Sequence, residues 1–259
     1  MGLADDVVSG FDSIDLESLD ERARLMQRIN RKYVLDAGQL QAFMRAMQPH
    51  FDALEIDGSR RFEYSNVYLD SPRLATFVAH NQGRRKRFKL RFRRYCDSDE
   101  QFFEVKIKGF RGETVKYRMP VESSACHCGI LSPELTDFLN ASLDRHDYRR
   151  PVGRMRPVIE VRYRRMTLVD RHEPVRVTID SDIIFAAGER RDALPSCRHI
   201  VEIKSAQGRS LADRWLLGRR VRPVKQCSKY GMGVNLLLAA HRNTRFSPVI
   251  RRQFSPALP

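Results

Sequence analysis

The chain has 259 residues and a formal net charge of +15, carried by 47 Lys and Arg against 32 Asp and Glu. A hydrophobic content of 42% is typical of folded domains and excludes fibrous and disordered classes. The sequence has no apolar run near the ~18 residues of a membrane span and no disulfide pattern among its five cysteines, so we expect a cytoplasmic protein whose basic excess binds a polyanion.

An acidic leader, residues 1–27, precedes the basic body of the chain. Seven acids and no base lie between positions 4 and 21. Ser18 and Glu21 have the spacing of a capping box and predict a short helix running toward Arg28. The leader is interpreted as a flexible tail or as an internal lid.

Helices are few in the body of the chain. Asp36 is predicted to cap a helix that ends before Pro49, because apolar residues follow it at helical spacing. Ser-Pro pairs, which favour helix starts, predict two more helices from Ser71 and Ser132. Apolar stripes at 210–217 and 230–240 complete the set, and all are interpreted as faces that pack on a core.

The remaining segments alternate with period two, which predicts strands. They are residues 28–35, 62–69, 88–93, 103–108, 115–119, 157–165, 175–180 and 201–204. Their polar faces are almost wholly Lys and Arg, and so many like charges on one sheet face repel unless an anion neutralises them. If about eight such strands close into a barrel, the charges line its lumen. We therefore predict an α+β fold, an antiparallel closed β-barrel that forms a basic tunnel flanked by several helices, over residues 28–241, with residues 242–259 as a loose basic C-terminal tail.

The motifs on these strands occur in the order of a known family. These motifs are 28–33, Tyr64-Ser-Asn-Val-Tyr68-Leu-Asp70, Lys89-Leu-Arg91-Phe-Arg93-Arg-Tyr95, Phe103-Glu104-Val-Lys106-Ile-Lys108, Val115-Lys116-Tyr-Arg118, 156–165, Val175-Arg176-Val-Thr-Ile-Asp180, Val201-Glu202-Ile-Lys204 and Ser228-Lys229-Tyr230. On these segments, over roughly residues 28–240, the chain resembles the VTC-type polyphosphate polymerase domain, within the triphosphate tunnel metalloenzyme (CYTH-like) superfamily.

The resemblance implies a set of phosphate ligands and one metal ligand. The cations implied in the catalytic site are Lys32, Arg91, Arg93, Lys106, Arg176 and Lys229. The cations implied in substrate binding are Lys89, Lys108, Lys116, Arg118 and Lys204, of which Lys89, Lys108 and Lys204 are secondary candidates that share the charged face of their strands. Glu202 would hold a divalent metal, Mn or Mg. The implied reaction transfers the ATP γ-phosphoryl group to a growing polyphosphate, and the implied partners are ATP and polyphosphate, with no specific nucleic acid.

The sequence departs from the family pattern at two points. Asn30 lies where many tunnel enzymes carry the first glutamate of an E-x-E-x-K signature, which puts a second metal ligand on the first strand in doubt. Lys225 lies four residues before Lys229, whereas the family spacing is closer to three. Asp70, Glu104, Glu160 and Asp180 are interpreted as partners of nearby arginines, and Glu104 is also kept as a candidate metal helper.

Two other functions remain open. The first is hydrolysis of a triphosphate, either tripolyphosphate or a nucleotide, in the same fold. The second is non-catalytic binding of polyphosphate or RNA. RNA readers stack bases on exposed aromatics, but Phe88, Phe92, Phe102 and Phe103 lie mostly opposite the charges, which counts against stacking. A zinc site at Cys126-His-Cys128 lacks a second ligand pair, so an ordinary loop is favoured there.

We also expect the acidic leader to dock at a mouth of the tunnel.

Overall fold

The computed structural model describes residues 5–23, 29–109, 114–122, 131–148, 152–206, 208–238 and 244–254. Within these ranges the strands are β1 (Asp12–Ile14), β2 (Ile29–Asp36), β3 (Phe51–Leu54), β4 (Phe62–Asp70), β5 (Arg87–Tyr95), β6 (Gln101–Lys108), β7 (Thr114–Pro120), β8 (Arg156–Asp170), β9 (Arg176–Ala187), β10 (Arg190–Ala193) and β11 (Arg198–Ser205). The helices are α1 (Asp5–Ser9), α2 (Leu16–Arg22), α3 (Ala37–Met47), α4 (Ala75–Asn81), α5 (Pro133–Asp144), α6 (Leu211–Gly218), α7 (Lys229–Leu237) and α8 (Ser247–Gln253).

The strands form one sheet whose main path runs β2-β11-β9-β8-β4-β5-β6-β7. Every neighbouring pair along this path is antiparallel. Three short strands lie off the path: β1 pairs with β3 in parallel, β3 pairs with β8, and β10 pairs with β9. The α+β class and the antiparallel tunnel-like sheet predicted from the alternation are therefore confirmed.

The hydrogen-bonded ladder stops short of full closure, which the sequence did not predict. Among the described residues β2 and β7, the two ends of the path, are not neighbours in the sheet. The backbone N–H of Val224 instead donates to the carbonyl of Lys32 on β2 at 2.7 Å. The segment before α7 therefore bonds to the backbone of the edge strand β2.

Helices cover the apolar outer face of the sheet in two places. On one side, outward residues of β2, β9 and β11 such as Tyr33 and Val201 pack with Phe43 of α3 and Leu216 of α6. On the other side, the outward residues of β5 and β6 pack with α5; these residues are Phe88, Leu90, Phe92, Phe103, Val105 and Ile107, all buried. Each fully buried side chain of this size stabilises the fold by ~1.5–3 kcal/mol relative to exposure. This layer leaves the opposite face of the same strands for the charged residues.

One part of the inner face is apolar and is filled by α7. Inner residues such as Ile159 and Phe185 pack with Tyr230, Met232 and Val234 of that helix. A Cβ on Gly231 would lie 2.5 Å from the Phe246 ring, and one on Gly233 would lie 2.7 Å from Ile159. The two glycines therefore let α7 approach both the sheet and the C-terminal segment.

Side-chain caps explain most of the helix starts, and two helices start at residues other than those predicted. Asp36 caps α3 through a capping box with Gln39, as predicted, and Ser132 caps α5. The cap of α2 is Asp15, which accepts from the Ser18 N–H, so the prediction of Ser18 as the cap is wrong. Helix α4 begins at Ala75 and not at Ser71, because Leu74 takes a left-handed conformation with φ of 52°.

The described part of the C-terminal segment is packed on the fold, whereas a loose tail was expected. It contains α8, and Phe246, Val249 and Phe254 are buried there. Burial of these three apolar side chains holds residues 244–254 against the fold despite the arginines around them. No helix in the described residues is long and apolar enough to cross a membrane.

The contact between α7 and Phe246 predicts a large effect of a small change. Gly231→Ala should lower the free energy of unfolding by about 1–3 kcal/mol, because the added methyl overpacks a filled site. Chemical denaturation measures this change. The control is Gly218→Ala at the end of α6, where a Cβ would have open space, and a value between 0 and about 1 kcal/mol of stabilisation is expected. Equal effects of the two substitutions would contradict the close contact between Gly231 of α7 and Phe246.

Candidate functional site

Cations from distant strands converge on the start of α7. Lys32 of β2 donates to the carbonyl of Cys227 at 3.0 Å, and Lys89 of β5 donates to the Ser228 hydroxyl at 2.9 Å. Strands β2 and β5 are separated by four others in the sheet order. Since both reach adjacent residues, the sheet curls and its inner faces oppose one another. We call the space between them the lumen.

Glu104 on β6 organises the first group of lumen cations. Its carboxylate accepts from Arg91 at 2.6 Å and from Lys116 at 3.2 Å, and Arg93 lies 3.9 Å away. The side chain of Glu104 is 2% exposed. Burial alone would raise the pKa of this carboxyl, but Arg91, Arg93 and Lys116 outweigh burial and hold the pKa below its usual range. Glu104 is therefore a fixed anion that orients three of the predicted phosphate ligands.

Asp180 on β9 organises the second group. Arg165 binds it through two hydrogen bonds of 2.6 and 2.9 Å, and Lys229 donates to the same carboxylate. The ammonium of Lys229 also lies 4.4 Å from the centre of the Tyr163 ring. Burial would raise the pKa of Asp180, but Arg165 and Lys229 hold it below its usual range. This group links β8, β9 and α7 at one level of the lumen.

Glu202 on β11 differs from these two carboxylates in how weakly it is held. Within the described residues its side chain has one ion pair, to Lys32 at 3.8 Å, and accepts no hydrogen bond. Burial would raise the pKa of Glu202, yet Lys32 and Lys204 lower it below its usual range, so the group is an anion. Its oxygen atoms are available to a further ligand.

The carboxylates that the described residues place in the lumen are too few to bind a divalent cation without oxygen atoms from a bound substrate. No cluster of three or more His, Cys, Asp or Glu side chains suited to a metal occurs in the part of the chain that the structure describes. Glu202 supplies a hard oxygen donor of the type that Mg²⁺ and Mn²⁺ prefer, and Mg²⁺ commonly takes one or two carboxylates together with phosphate oxygens. The donor set thus fits a metal that is bound jointly with a phosphorylated substrate. The Cys126-His-Cys128 segment lies outside the described residues.

The other predicted cations are placed by register on the same face. Lys106 lies between Lys89 and Lys116 in the ladder, and Lys108 lies between Arg87 and Thr114. Arg118 is opposite Glu104, with its guanidinium 5.0 Å from the Phe102 ring centre. Lys204 is opposite both Asn30 and Arg176. The predicted residues therefore share one face of the curled sheet.

Arg176 is a predicted ligand that the structure pairs with the described part of the acidic leader. It donates to Asp20 of α2 at 2.6 Å. Leu19 and Ala23, one residue before and three residues after Asp20, are buried in the same apolar cluster as inner residues of the sheet. The leader therefore rests against the inner face at the end of β9 where Arg176 lies.

Lys89 stands out among the lumen cations by its charge environment. Burial, together with Lys106 and Lys32, lowers the pKa of its ammonium well below the ordinary value. Among the described residues it has a hydroxyl partner, Ser228, and no carboxylate partner. An anion in the lumen would favour the charged form and raise the pKa again.

Several lumen residues were missed by the reasoning from sequence. Tyr64, Tyr68 and Tyr163 lie on the inner face, where Tyr64 stacks on Tyr163 with ring centres 5.4 Å apart. Arg165 lies 5.1 Å from the Tyr64 ring centre, and Asn66 accepts from Arg93 at 3.0 Å. The sequence does carry a signal for the residues on β4, because positions 64, 66 and 68 alternate with apolar or small residues and so share one face of the strand.

One assignment of a structural carboxylate is wrong. Asp70 was expected to pair with an arginine, but it accepts hydrogen bonds from the N–H groups of Thr76 and Phe77 and from the Tyr230 hydroxyl at 2.6 Å. It therefore joins α4 and α7 to the end of β4. Glu104, Glu160 and Asp180 do pair with arginines, as predicted.

Comparison with known proteins gives a family and a fold. A family model described as VTC domain matches residues 27–238. Among solved structures, a candidate adenylate cyclase from Bacillus halodurans aligns with a TM-score of 0.54 and 12% identity, over 80% of this chain and 98% of that one. A candidate adenylyl cyclase from Hippeastrum, described as having a dominant triphosphatase activity, aligns with a TM-score of 0.52 and 12% identity, over 82% and 97%. No curated protein matches this chain. At these identities the structural likeness shows the fold alone.

The environment of Lys89 predicts proton uptake on anion binding. Its pKa is lowered in the free protein, so a bound polyanion that restores the ammonium must draw a proton from solvent, and binding should weaken as pH rises. Calorimetric titration with tripolyphosphate, in buffers of different ionisation enthalpy at one mildly alkaline pH, measures this uptake. Lys89→Arg keeps the charge permanently and should abolish the Lys89 share of the uptake while retaining affinity. An unchanged uptake in Lys89→Arg would contradict the assignment.

The pairing of Arg176 with the leader predicts competition with anions. Asp20→Asn should raise the affinity for tripolyphosphate by roughly two- to fivefold at low salt, because an exposed ion pair of up to ~1 kcal/mol no longer occupies Arg176. The gain should fade at high salt. Glu21→Gln on the same helix removes an equal charge and is the matched control. If both variants gain equally, the effect is one of net charge and the specific contact does not compete.

Proposed function

Because this chain belongs to the VTC domain family, we propose that it is a metal-dependent polyphosphate polymerase that uses ATP. An oxygen of the terminal phosphate of the chain attacks the γ-phosphorus of ATP. The bond from that phosphorus to the β–γ bridging oxygen breaks, and ADP leaves with the electron pair. The polyphosphate is then one unit longer, and no other reactant is needed.

One observation carries this proposal: a curled sheet on whose inner face cations of β2, β5, β6, β7 and α7 surround carboxylates. Phosphoryl transfer needs little covalent chemistry from a protein, since its barrier is lowered by positioning and by stabilising charge on the transferred group. Among buried groups such as Glu104 and Asp180, such charge stabilisation is stronger than in bulk solvent. The arrangement supports a substrate of several linked phosphates better than one of a single phosphate.

The cations fall into two groups, those that bind the phosphate chain and those that neutralise the phosphoryl group during transfer. Arg91 and Arg93 are pre-oriented by Glu104, so their guanidinium forks meet phosphate oxygens with little loss of side-chain entropy. Lys229 and Lys32 are compact charges at the start of α7, where they can neutralise a phosphoryl group in transit. Lys106, Lys116, Arg118 and Lys204 extend the basic surface on either side.

A divalent metal, when bound with substrate, would act as a Lewis acid on phosphate oxygens. Glu202 is the residue we propose to hold it, because its carboxylate is ionised and has only a distant partner. Glu104 and Asp180 are already engaged by short hydrogen bonds and are proposed to remain structural anions.

Triphosphate hydrolysis is the second candidate, because the Hippeastrum protein of similar fold is described by that activity. In that reaction water, rather than a phosphate chain, attacks the terminal phosphorus. The two candidates differ in their products and not in the groups that bind the triphosphate.

The test is incubation of the purified protein with ATP and Mn²⁺ or Mg²⁺, with gel analysis of phosphate chains and assay of ADP and free phosphate. We expect long chains with matching ADP. Free phosphate without chains would show that the protein is a triphosphate hydrolase and not a polymerase. If neither product forms but polyphosphate binds tightly, the protein is a binding module.

The same assay tests the role of Glu202. Glu202→Gln should lower turnover by roughly a hundredfold or more, as for loss of a group that acts on developing charge, while polyphosphate binding is retained. Glu160→Gln makes the same chemical change on a carboxylate that binds Ser65 and Arg162, and should leave turnover near wild type. Turnover of Glu202→Gln equal to that of Glu160→Gln would remove Glu202 from the mechanism.

A further inference from the structure

The row of lumen cations on β5 continues past the predicted ligands. Arg93, Arg91, Lys89 and Arg87 alternate along one face of the strand, about 6.8 Å apart at each step. Arg87 was not among the predicted site residues. Its guanidinium donates to the carbonyl of Arg84, and within the described residues it has no carboxylate partner. A linear anion that reaches Arg91 and Lys89 therefore meets one more cation at this end of the strand.

A second cation reaches the same place from the C-terminal segment. Arg245 lies outside the residues matched by the family model, which end at 238. Its guanidinium donates to the carbonyl of His80 at 3.2 Å and its backbone N–H donates to the Asn81 side chain at 3.1 Å, both at the end of α4. Gly83, with φ of 69°, leaves room for this approach, since a Cβ there would lie 3.0 Å from the Arg245 guanidinium.

These groups form a cluster with an unbalanced charge. Burial and then Arg245 lower the pKa of Arg87, and burial with Lys89, Arg87 and Arg245 lowers the pKa of His80. The Nδ1 atom of His80 is buried and has no hydrogen-bond partner in the described part of the chain. Neither Arg87, Lys89 nor Arg245 pairs with a carboxylate there, unlike Arg91, Arg165 and Lys229 deeper in the lumen. Half-buried cations that repel one another are stabilised when an anion lies between them.

We propose that Arg87 and Arg245 form a phosphate-binding subsite at the α4 end of the lumen, which takes the part of a polyphosphate chain that extends beyond a triphosphate. This inference rests on the proposed function in its choice of ligand. The linear arrangement favours a chain over a single phosphate, because the subsite continues the row of Arg91 and Lys89 in one direction. Arg245 has a second task, since it also caps the carbonyl end of α4.

The test compares the affinity of the full chain for long-chain polyphosphate and for tripolyphosphate, without ATP, at one salt concentration. Arg87→Gln and Arg245→Gln should each weaken long-chain binding by roughly two- to fivefold, as for loss of one partly exposed charge. The affinity for tripolyphosphate should change by less than about twofold. Arg251→Gln, which removes the same charge from an exposed position on α8, should change neither.

Two outcomes would overturn the subsite. Long-chain affinity that falls no further than in Arg251→Gln would show that the two arginines bind no phosphate. Equal losses for tripolyphosphate and for the long chain would place them in the triphosphate site itself. If Arg245→Gln unfolds because α4 loses its cap, Arg87→Gln and the charge-retaining Arg245→Lys decide the matter, with circular dichroism as the check on folding. Since no ATP is present, a failure of chain synthesis leaves this result standing on its own.

Discussion

Repulsion between cations in a confined, partly dehydrated space is the constraint on which this structure depends. Two unit charges 4 Å apart interact by about 4 kcal/mol at an effective dielectric constant of 20, several times more than in water. The fold limits this cost by placing one carboxylate among each group of cations, with Glu104 on β6, Asp180 on β9 and Glu202 on β11. These three strands lie at different positions around the curled sheet, so the negative charge is distributed and not pooled. A bound polyanion can neutralise the positive charge that these carboxylates do not compensate.

The same strand alternation that builds the lumen also builds its support. In β5 the residues between the cations, Phe88, Leu90 and Phe92, are buried under α5. A one-residue slip in register would exchange the two faces, placing arginines under α5 and phenylalanines in the lumen. The apolar outer layer therefore fixes where the cations point. Helix α7 completes the arrangement, because its glycines allow it to enter the apolar part of the inner face while Lys229 at its start remains among the charges.

Most of the sheet could be predicted from sequence because period-two alternation is a local property, and the cations followed from it and from the family resemblance. The short strands β1, β3 and β10 were missed, since three or four residues carry too little pattern to recognise. The pairing of Arg176 with Asp20 is a contact over 156 positions, which no local pattern reports. For the same reason Asp70 was assigned to an arginine when it in fact receives Tyr230 from α7. The packing of residues 244–254 was not predicted, because the three apolar side chains that dock this segment are spread among arginines and form no recognisable apolar stripe.

The unequal engagement of the three carboxylates bears on how a metal and a substrate would enter this lumen. Removing Arg91 from Glu104 or Arg165 from Asp180 would leave a buried charge without its partner, which costs several kcal/mol. A metal that competed for either carboxylate would have to overcome that cost. Glu202 imposes no such penalty, since its nearest cation among the described residues, Lys32, is 3.8 Å away and makes no hydrogen bond to it. One carboxylate is nevertheless too few ligands for a hard cation, so the remaining oxygens would come from phosphate and water. Metal and polyphosphate would then each be bound more tightly in the presence of the other, as thermodynamic linkage requires.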